Sequence, residues 1–206
     1  MSADEAYLSE AHHAVSDAAL DTLFREAHTT RHWLDKKVSP ALLMAIYDLM
    51  RWGPTATNIT PARIVFVMSF EAKARLKPHL SEGNVRQSME APVTAILGYD
   101  LDFARHLPKL YPDNPKAQGW FGDAEANKVH ALRNGSLQGG YFILAARALG
   151  LDCGPMGGFN HAGIDAEFFA ATQIKSNFLC NLGYGAEGGH RPRNDRLTFD
   201  EACQIL

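Results

Sequence analysis

The chain has 206 residues, 46% of them hydrophobic and 21% charged, with a formal net charge of −3. These values fit one ordinary globular domain, and no basic block offers the footprint of a nucleic-acid binder. The three cysteines, Cys153, Cys180 and Cys203, form no CxxC pair, and their odd number argues against a disulfide scaffold.

No apolar run is long enough to span a membrane, and the acidic N-terminus lacks the apolar core of a signal peptide, so a reducing cytoplasm is the expected location. Residues 1–15 read as an N-terminal arm, ahead of a single domain over 16–206. Ser16-Asp17 caps a helix expected to run to about Ala27, with Leu20, Leu23 and Phe24 on its apolar face. The polar cluster His28-Thr29-Thr30-Arg31-His32-Trp33 ends it. His28 and His32 stand four apart, but neither an HExxH glutamate nor a third ligand accompanies them, so no metal site is expected. Hydroxyls beside an arginine suit an anion better.

Ser39-Pro40 opens a second helix to about Arg51, with serine as cap and proline at the first helical position. It stops at Trp52-Gly53-Pro54, and a polar loop runs on to Pro61. Arg63–Met68 is β-branched and aromatic, hence a buried strand. Phe70–Leu80 reads as a helix, Ser81–Asn84 as a turn, and the next residues as a helical piece to about Glu90. Pro92–Tyr99 is a second buried strand. Residues 100–122, broken by three prolines and rich in aromatics, read as an excursion or lid.

The longest helical stretch runs from about Ala126 to Leu149. About 24 helical residues span roughly 36 Å. Val129, Leu132, Leu137, Tyr141, Leu144, Ala145, Ala148 and Leu149 recur near helical spacing, and around Tyr141–Leu149 the stretch is apolar on nearly all sides, which predicts burial. Gly139-Gly140 in its middle points to close packing against another backbone, and Gly150 is placed to stop the helix. Asp152–Phe159 then places three glycines and a proline within five positions, 154–158, which predicts a loop that lets a flat ligand approach the main chain. Ile164–Ala170 reads as a short helix, Lys175–Tyr184 as a third strand, and Phe199–Leu206 as a capped final helical turn. Gly183-Tyr-Gly185-Ala-Glu-Gly188 matches GxGxxG but opens no helix, so a dinucleotide-binding turn is not expected there.

The polar or glycine-rich segments 28–33, 54–61, 83–87 and 154–158, with the basic tail 190–196, together resemble the nitroreductase family of flavin mononucleotide (FMN) enzymes over about 16–206. Gly53–Pro61 and Ala148–Phe159 are the most specific pieces. The resemblance implies an α+β fold: a three-layer α-β-α sandwich with a mixed, mostly antiparallel sheet, in a homodimer intertwined about the long helix, with the 100–122 excursion over the partner's flavin. It implies FMN as cofactor, NADPH or NADH as electron donor and a small-molecule substrate. His28, Thr29 and Arg31 correspond to the phosphate-binding Arg-x-Ser-x-Arg/Lys signature; its first arginine is absent here and threonine stands for serine. By the same resemblance Pro54, Thr55 and Asn58 meet the flavin and its ribityl chain. Asn84 and Gln87 meet the isoalloxazine edge, Pro155, Met156, Gly157 and Gly158 face flavin N5, and Arg193 and Arg196 close on the phosphate. No catalytic side chain is implied, because flavin N5 carries the hydride.

Within the family, Thr60–Arg63, Arg147–Asp152, Lys175–Asn177 and Thr198–Ala202 resemble the malonic semialdehyde reductase branch. Reduction of malonic semialdehyde to 3-hydroxypropanoate is then the expected activity, with Arg63, Arg86 or Arg105 as the cation for an anionic substrate. A broad nitroaromatic or quinone reductase and a non-catalytic flavin-binding or redox-sensing protein are the alternatives.

Overall fold

The computed structural model describes residues 14–206, so nearly all of the expected N-terminal arm lies outside the described residues. Helix starts follow their capping residues. Ser16 accepts from the Ala19 N–H at 3.2 Å to open α1 (Asp17–Leu20), which continues as one π-helical turn through Arg25. Ser39 does the same for α2 (Pro40–Met50), and Ser69 for α3 (Phe70–Leu76). The strands β1 (Ala62–Val67), β2 (Val93–Asp100) and β4 (Ile174–Gly183) lie where their β-branched and aromatic runs predict.

Two segments are not the elements expected of them. Ser81–Asn84 is not a turn: Ser81 is the N-cap of α4 (Glu82–Glu90), which takes in Gly83 and Asn84. Asn84 and Gln87 are therefore three apart on one helical face. Asp152–Met156 is not a loop but a strand, β3. It forms an edge of the sheet, whose order is β1-β2-β4-β3. An edge strand tolerates Pro155, because one of its sides pairs with no other strand. Gly154 is required there, since a Cβ would lie 2.6 Å from the Thr30 carbonyl oxygen of the chain that crosses it. All three strand pairings are antiparallel. Among the described residues, the parallel share of the expected mixed sheet is one bridge, Thr29 to Cys153.

Helices cover both faces of the sheet. Along β2, Val93, Ala95 and Leu97 pack into one core with α2 residues Leu43, Ile46 and Met50, while Ile96 joins Val67, Leu76, Ile164 and Leu179 on the other side. The helix α7 (His161–Phe168) belongs to that second layer. The result is the expected three-layer α+β sandwich. Between β2 and the long helix, residues 100–122 coil around a third core. Phe103 and Leu107, the latter opening α5 (Leu107–Leu110), pack with Ile59, Tyr99 and Ala131. The excursion is anchored by its aromatics rather than hung as a free lid.

The long helix, α6 (Ala124–Ala148), ends in a Schellman motif: Gly150 takes φ +78°, with Gly150 N–H donating to Arg147 O and Leu151 N–H to Ala146 O. Its inward face is not the apolar one read from the sequence. Ala131, Asn134, Gly135, Gln138, Gly139, Phe142, Ala145 and Ala146 are buried, whereas Val129, Leu132, Leu137 and Tyr141 stay 40–51% exposed. Asn134 and Gln138 point inward because their amide oxygens accept the Ala56 and Ala62 N–H groups, each at 2.8 Å. Gly139 makes room for the Phe178 ring rather than for a backbone, and Gly140 faces open space.

The last element, α8 (Phe199–Ala202), is shorter than expected and starts with a capping box between Thr198 and Glu201.

Candidate functional site

The segment after α1, the start of α4 and the turn after β4 meet around a cavity of 440 Å³. Arg31, His32, Arg86, Gln87, His190 and Arg191 line it, with the backbone of Gly188 and Gly189. Arg86 is held by Glu90 at 3.2 Å and touches His32. Glu82 and Glu90 are the nearby acids, so three arginines leave the cavity cationic and suited to a phosphate.

From this cavity α4 reaches the end of β3. Gln87 Nε2 donates to Asn84 Oδ1 at 2.6 Å, and Asn84 Nδ2 donates to the Gly158 carbonyl at 2.8 Å. Trp33 Nε1 holds the Gln87 carbonyl at 3.1 Å from the other side. A Cβ on Gly158 would lie 2.7 Å from Asn84 Nδ2, so glycine is what lets the helix and this segment touch. A Cβ on exposed Gly157 would meet nothing within 4 Å. Among the described residues, no acceptor takes the N–H of Gly157 or Gly158. Open space, free donors and two amide side chains thus lie next to one another.

The other expected cofactor residues are placed differently. Pro54, Thr55 and Asn58 do not line the cavity. Their loop is fastened to the long helix through Ala56, and Asn58 Nδ2 donates to Leu110 O of the excursion at 2.8 Å. Thr57, Asn58 and Thr60 have φ of 51°, 52° and 35°, three of the four non-glycine residues with positive φ among the described residues. Such backbone costs about 1–3 kcal/mol per residue and gathers at ligand-binding segments.

Arg193 and Arg196 also stand outside the cavity. Arg193 donates to the carbonyls of Arg25 and Ala27, at 2.6 and 2.9 Å, and so ties the tail to the end of the N-terminal helix. Arg196 is satisfied by the carbonyls of Asn194 and Asp195 in its own turn. His190 and Arg191, just before Arg193, line the cavity instead. His28 stacks on His190 with ring centroids 4.1 Å apart. Burial first, then His190 and Arg193, lower its pKa, so His28 adds little positive charge for an anion. Thr29 bridges Cys153 through its backbone and keeps its side chain exposed.

Among the three arginines considered for an anionic substrate, Arg63 and Arg105 both clamp buried Asp100, at 2.8 and 3.1 Å. Only Arg86 of the three lines the cavity. His190 and Arg191 were not picked out singly from the sequence, and His32 was weighed there only as a metal ligand. The basic run 190–196 contained Arg191, but nothing local separates it from Arg193. Among the described residues, no group of three or more His, Cys, Asp or Glu side chains could hold a metal ion.

The nitroreductase family model matches residues 24–184. A Caulobacter sp. (strain K31) protein provisionally named NADH dehydrogenase/NAD(P)H nitroreductase is 59% identical over 189 residues, covering 92% of this chain and 97% of its own length. One of the same name from Stenotrophomonas maltophilia (strain K279a) is 61% identical over 194 residues, 94% of this chain and 98% of its own. Among solved structures, a provisionally named nitroreductase of Exiguobacterium sibiricum 255-15 in complex with FMN superposes with a TM-score of 0.82 at 20% identity, over 95% of this chain and all of that one. With a family match across most of the chain and close relatives along nearly its full length, this chain belongs to the nitroreductase family.

Proposed function

We propose that the protein is an FMN-dependent NAD(P)H oxidoreductase that reduces flat, electron-poor acceptors such as nitroaromatics and quinones. The observation that carries this reading is the path along α4, from a cavity lined by arginines to the free N–H groups of Gly157 and Gly158. FMN has the matching shape: a doubly charged phosphate at one end and a flat ring with polar edges at the other. Arg31 and Arg191 would hold the phosphate by charge-assisted hydrogen bonds. Asn84 and Gln87 would offer amides to the pyrimidine edge, and the Met156–Gly158 backbone would donate at the reacting edge. When bound, FMN supplies hydride transfer between NADH or NADPH and the acceptor. The chain's own task is to orient the ring, leave one face open and place positive charge at the phosphate. The names of the Caulobacter and Stenotrophomonas relatives favour this breadth of acceptor over the aldehyde reading.

The site is shared between two copies in this reading. Pro54, Thr55 and Asn58 lie outside the cavity of their own chain, while α6 carries its large apolar side chains outward. A second copy laid on Val129, Leu132, Leu137 and Tyr141 would cover them and bring its own Pro54–Asn58 segment to the ring. Obligate interfaces of this kind bury over about 2,000 Å² in total. Sedimentation at low micromolar concentration is expected to show only dimer, and a flavin-loaded monomer would refute the shared site.

The finer reading, reduction of malonic semialdehyde, draws no support from Arg86, which lies at the phosphate end of the site and is paired with Glu90. The deciding experiment compares steady-state rates with a nitrofuran, a quinone and malonic semialdehyde on one preparation. Fast nitro or quinone reduction beside slow aldehyde turnover is the expected result. If NADH and NADPH both fail to bleach the bound flavin anaerobically, the enzymatic reading falls.

A further inference from the structure

Beneath α4 lies a buried lysine that the proposed chemistry does not use. Lys73 of α3 is 7% exposed, and no carboxylate pairs with it among the described residues. Its Nζ donates to the Ser88 carbonyl of α4 and to Thr94 Oγ1 of β2, the latter at 2.7 Å. An ammonium only donates, so Thr94 accepts from it and passes its own hydrogen to Asn181 Oδ1 of β4, 2.7 Å away. Thr94 and Asn181 are directly opposite in the β2–β4 register, which fixes that bond. The Asn181 amide donates in turn to Ser88 Oγ at 3.3 Å, and Ser88 Oγ–H points to Met156 Sδ at 3.5 Å. Ser88, Thr94 and Asn181 are fully buried.

The four bonds run in one direction, from the lysine to the methionine beside Gly157 and Gly158. Among the described residues, no neighbouring element turns a second charge onto Lys73. On α4, Arg86 and Glu90 pair with one another at the surface. On its own helix Glu71 is exposed, and Arg75 is taken by Glu167 of α7. On β2 and β4 the charged groups are Asp100, clamped by Arg63 and Arg105, and Lys175, paired with Asp165. β1 carries only Arg63, and on the short turn after α3 the ionisable groups are Lys77, exposed, and His79, beside Gly163 of α7. A lone buried ammonium is costly. Its position at the junction of α3, α4, β2 and β4, one relay away from the flavin-facing segment, calls for a use.

We propose that Lys73 is a charge-compensating positioning residue of the flavin site, taking a proton from solvent as the group bound against Met156–Gly158 gains negative charge. The inference rests on the FMN reading above. With FMN bound, hydride transfer from NAD(P)H would release the oxidised nicotinamide and leave the group held against Met156–Gly158 with one more negative charge. The proton taken up by the Lys73 amine offsets that charge. Neither Asn84 nor Gln87 brings a charge of its own. Protonated Lys73 also sets the direction of the Thr94–Asn181–Ser88 chain and so presents the Ser88 hydroxyl to Met156.

The test is the midpoint potential of the bound FMN from pH 5.5 to 9.5, in the holoenzyme and in Lys73→Met and Lys73→Arg. Burial lowers the Lys73 pKa to about 7, so uptake opens just above that pH. There the wild type is expected to bind one more proton per two-electron reduction than either variant. Lys73→Arg keeps the charge but cannot release its proton, so it separates titration from mere presence of a cation. Thr94→Val keeps the lysine and removes an acceptor, and is expected to move the window to lower pH; it serves if the position 73 variants do not fold. Equal slopes in wild type and variants, or an unmoved window in Thr94→Val, would overturn the role of Lys73. FMN titration of the apoprotein comes first: failure to bind overturns the FMN reading itself, whereas binding and bleaching with equal slopes sinks only the lysine proposal.

Discussion

The segment made of β3 with Gly157 and Gly158, and the tail from His190 to Thr198, both carry dense sets of expected ligand residues, but the fold treats them in opposite ways. The strand is held from all sides: β4 pairs with it, residues 29 and 30 cross it, and Asn84 grips the carbonyl of Gly158. The tail is exposed from Arg191 to Thr198, tied down at Arg193 alone among its arginines by two carbonyls of the N-terminal segment. Glycine and proline state a requirement of shape, which the surrounding backbone either meets or does not. An arginine asks only for an acceptor, and a long flexible side chain finds one among many. Motifs of the first kind therefore tie the backbone to particular residues, whereas motifs of the second kind leave open which arginine meets which acceptor.

The strongest way to break this contrast is Gly154→Ala. The added Cβ would sit 2.6 Å from a backbone oxygen that cannot rotate away. A loss of about 3 kcal/mol in stability is expected, together with the flavin, measured by thermal unfolding and visible absorbance. Gly157→Ala is the control just beyond the end of β3, since its Cβ meets nothing within 4 Å. Its stability should stay within about 0.5 kcal/mol of wild type while FMN affinity falls.

Lys73 sharpens the comparison through pH. Burial lowers its pKa from 10.5 to about 7. Between those values the unfolded chain holds a proton that the folded chain has released, so folding stability rises with pH across that window. Below about pH 7 both states are protonated and the burial penalty is constant. The full span is on the order of a few kcal/mol. Denaturant melts of the apoprotein should show this rise in wild type, and Lys73→Met should remove it.

The tail and its surroundings give smaller effects. Arg31→Ala and Arg191→Ala should each weaken FMN by roughly ten- to a hundredfold, the loss of a charge-assisted bond of about 1.5–3 kcal/mol, with the preparation regaining colour when FMN is added. Arg193→Ala should cost about 1 kcal/mol through its two carbonyls and leave FMN affinity nearly unchanged. Arg196→Ala is expected to change neither quantity by more than about 0.5 kcal/mol. An Arg196 variant that purifies colourless while the Arg191 variant stays yellow would reverse the assignment.

Helix starts, the three β-branched strands and the glycine stop at Gly150 were legible because each depends on a few neighbouring residues. A serine beside a helix start caps it whatever lies beyond, and Val93–Tyr99 has no other way to bury its side chains. The edge strand β3 was not legible, because glycine and proline read as breakers until a neighbouring strand supplies the pairing. The turn expected at Ser81–Asn84 failed for a related reason: Gly83 weakens a helix, but Ser81 upstream and the side-chain contacts of Asn84 and Gln87 outweigh it.

Local sequence by itself determined where most of this chain would coil or extend, and the Gly53–Pro61 and Ala148–Phe159 motifs pointed to its family. Which face of α6 turns inward was decided only by tertiary structure. Asn134 and Gln138 are buried because two backbone N–H groups, 78 and 76 positions away in the chain, needed acceptors. Leaving those donors unpaired inside the protein would cost more than keeping Leu132 and Leu137 out of this chain's own core. The same balance set the arginines: Arg63 and Arg105 went to Asp100, Arg193 to the carbonyls of Arg25 and Ala27, and Arg31, Arg86 and Arg191 were left around the cavity. Such assignments depend on partners far along the chain, and no window of neighbouring residues contains them.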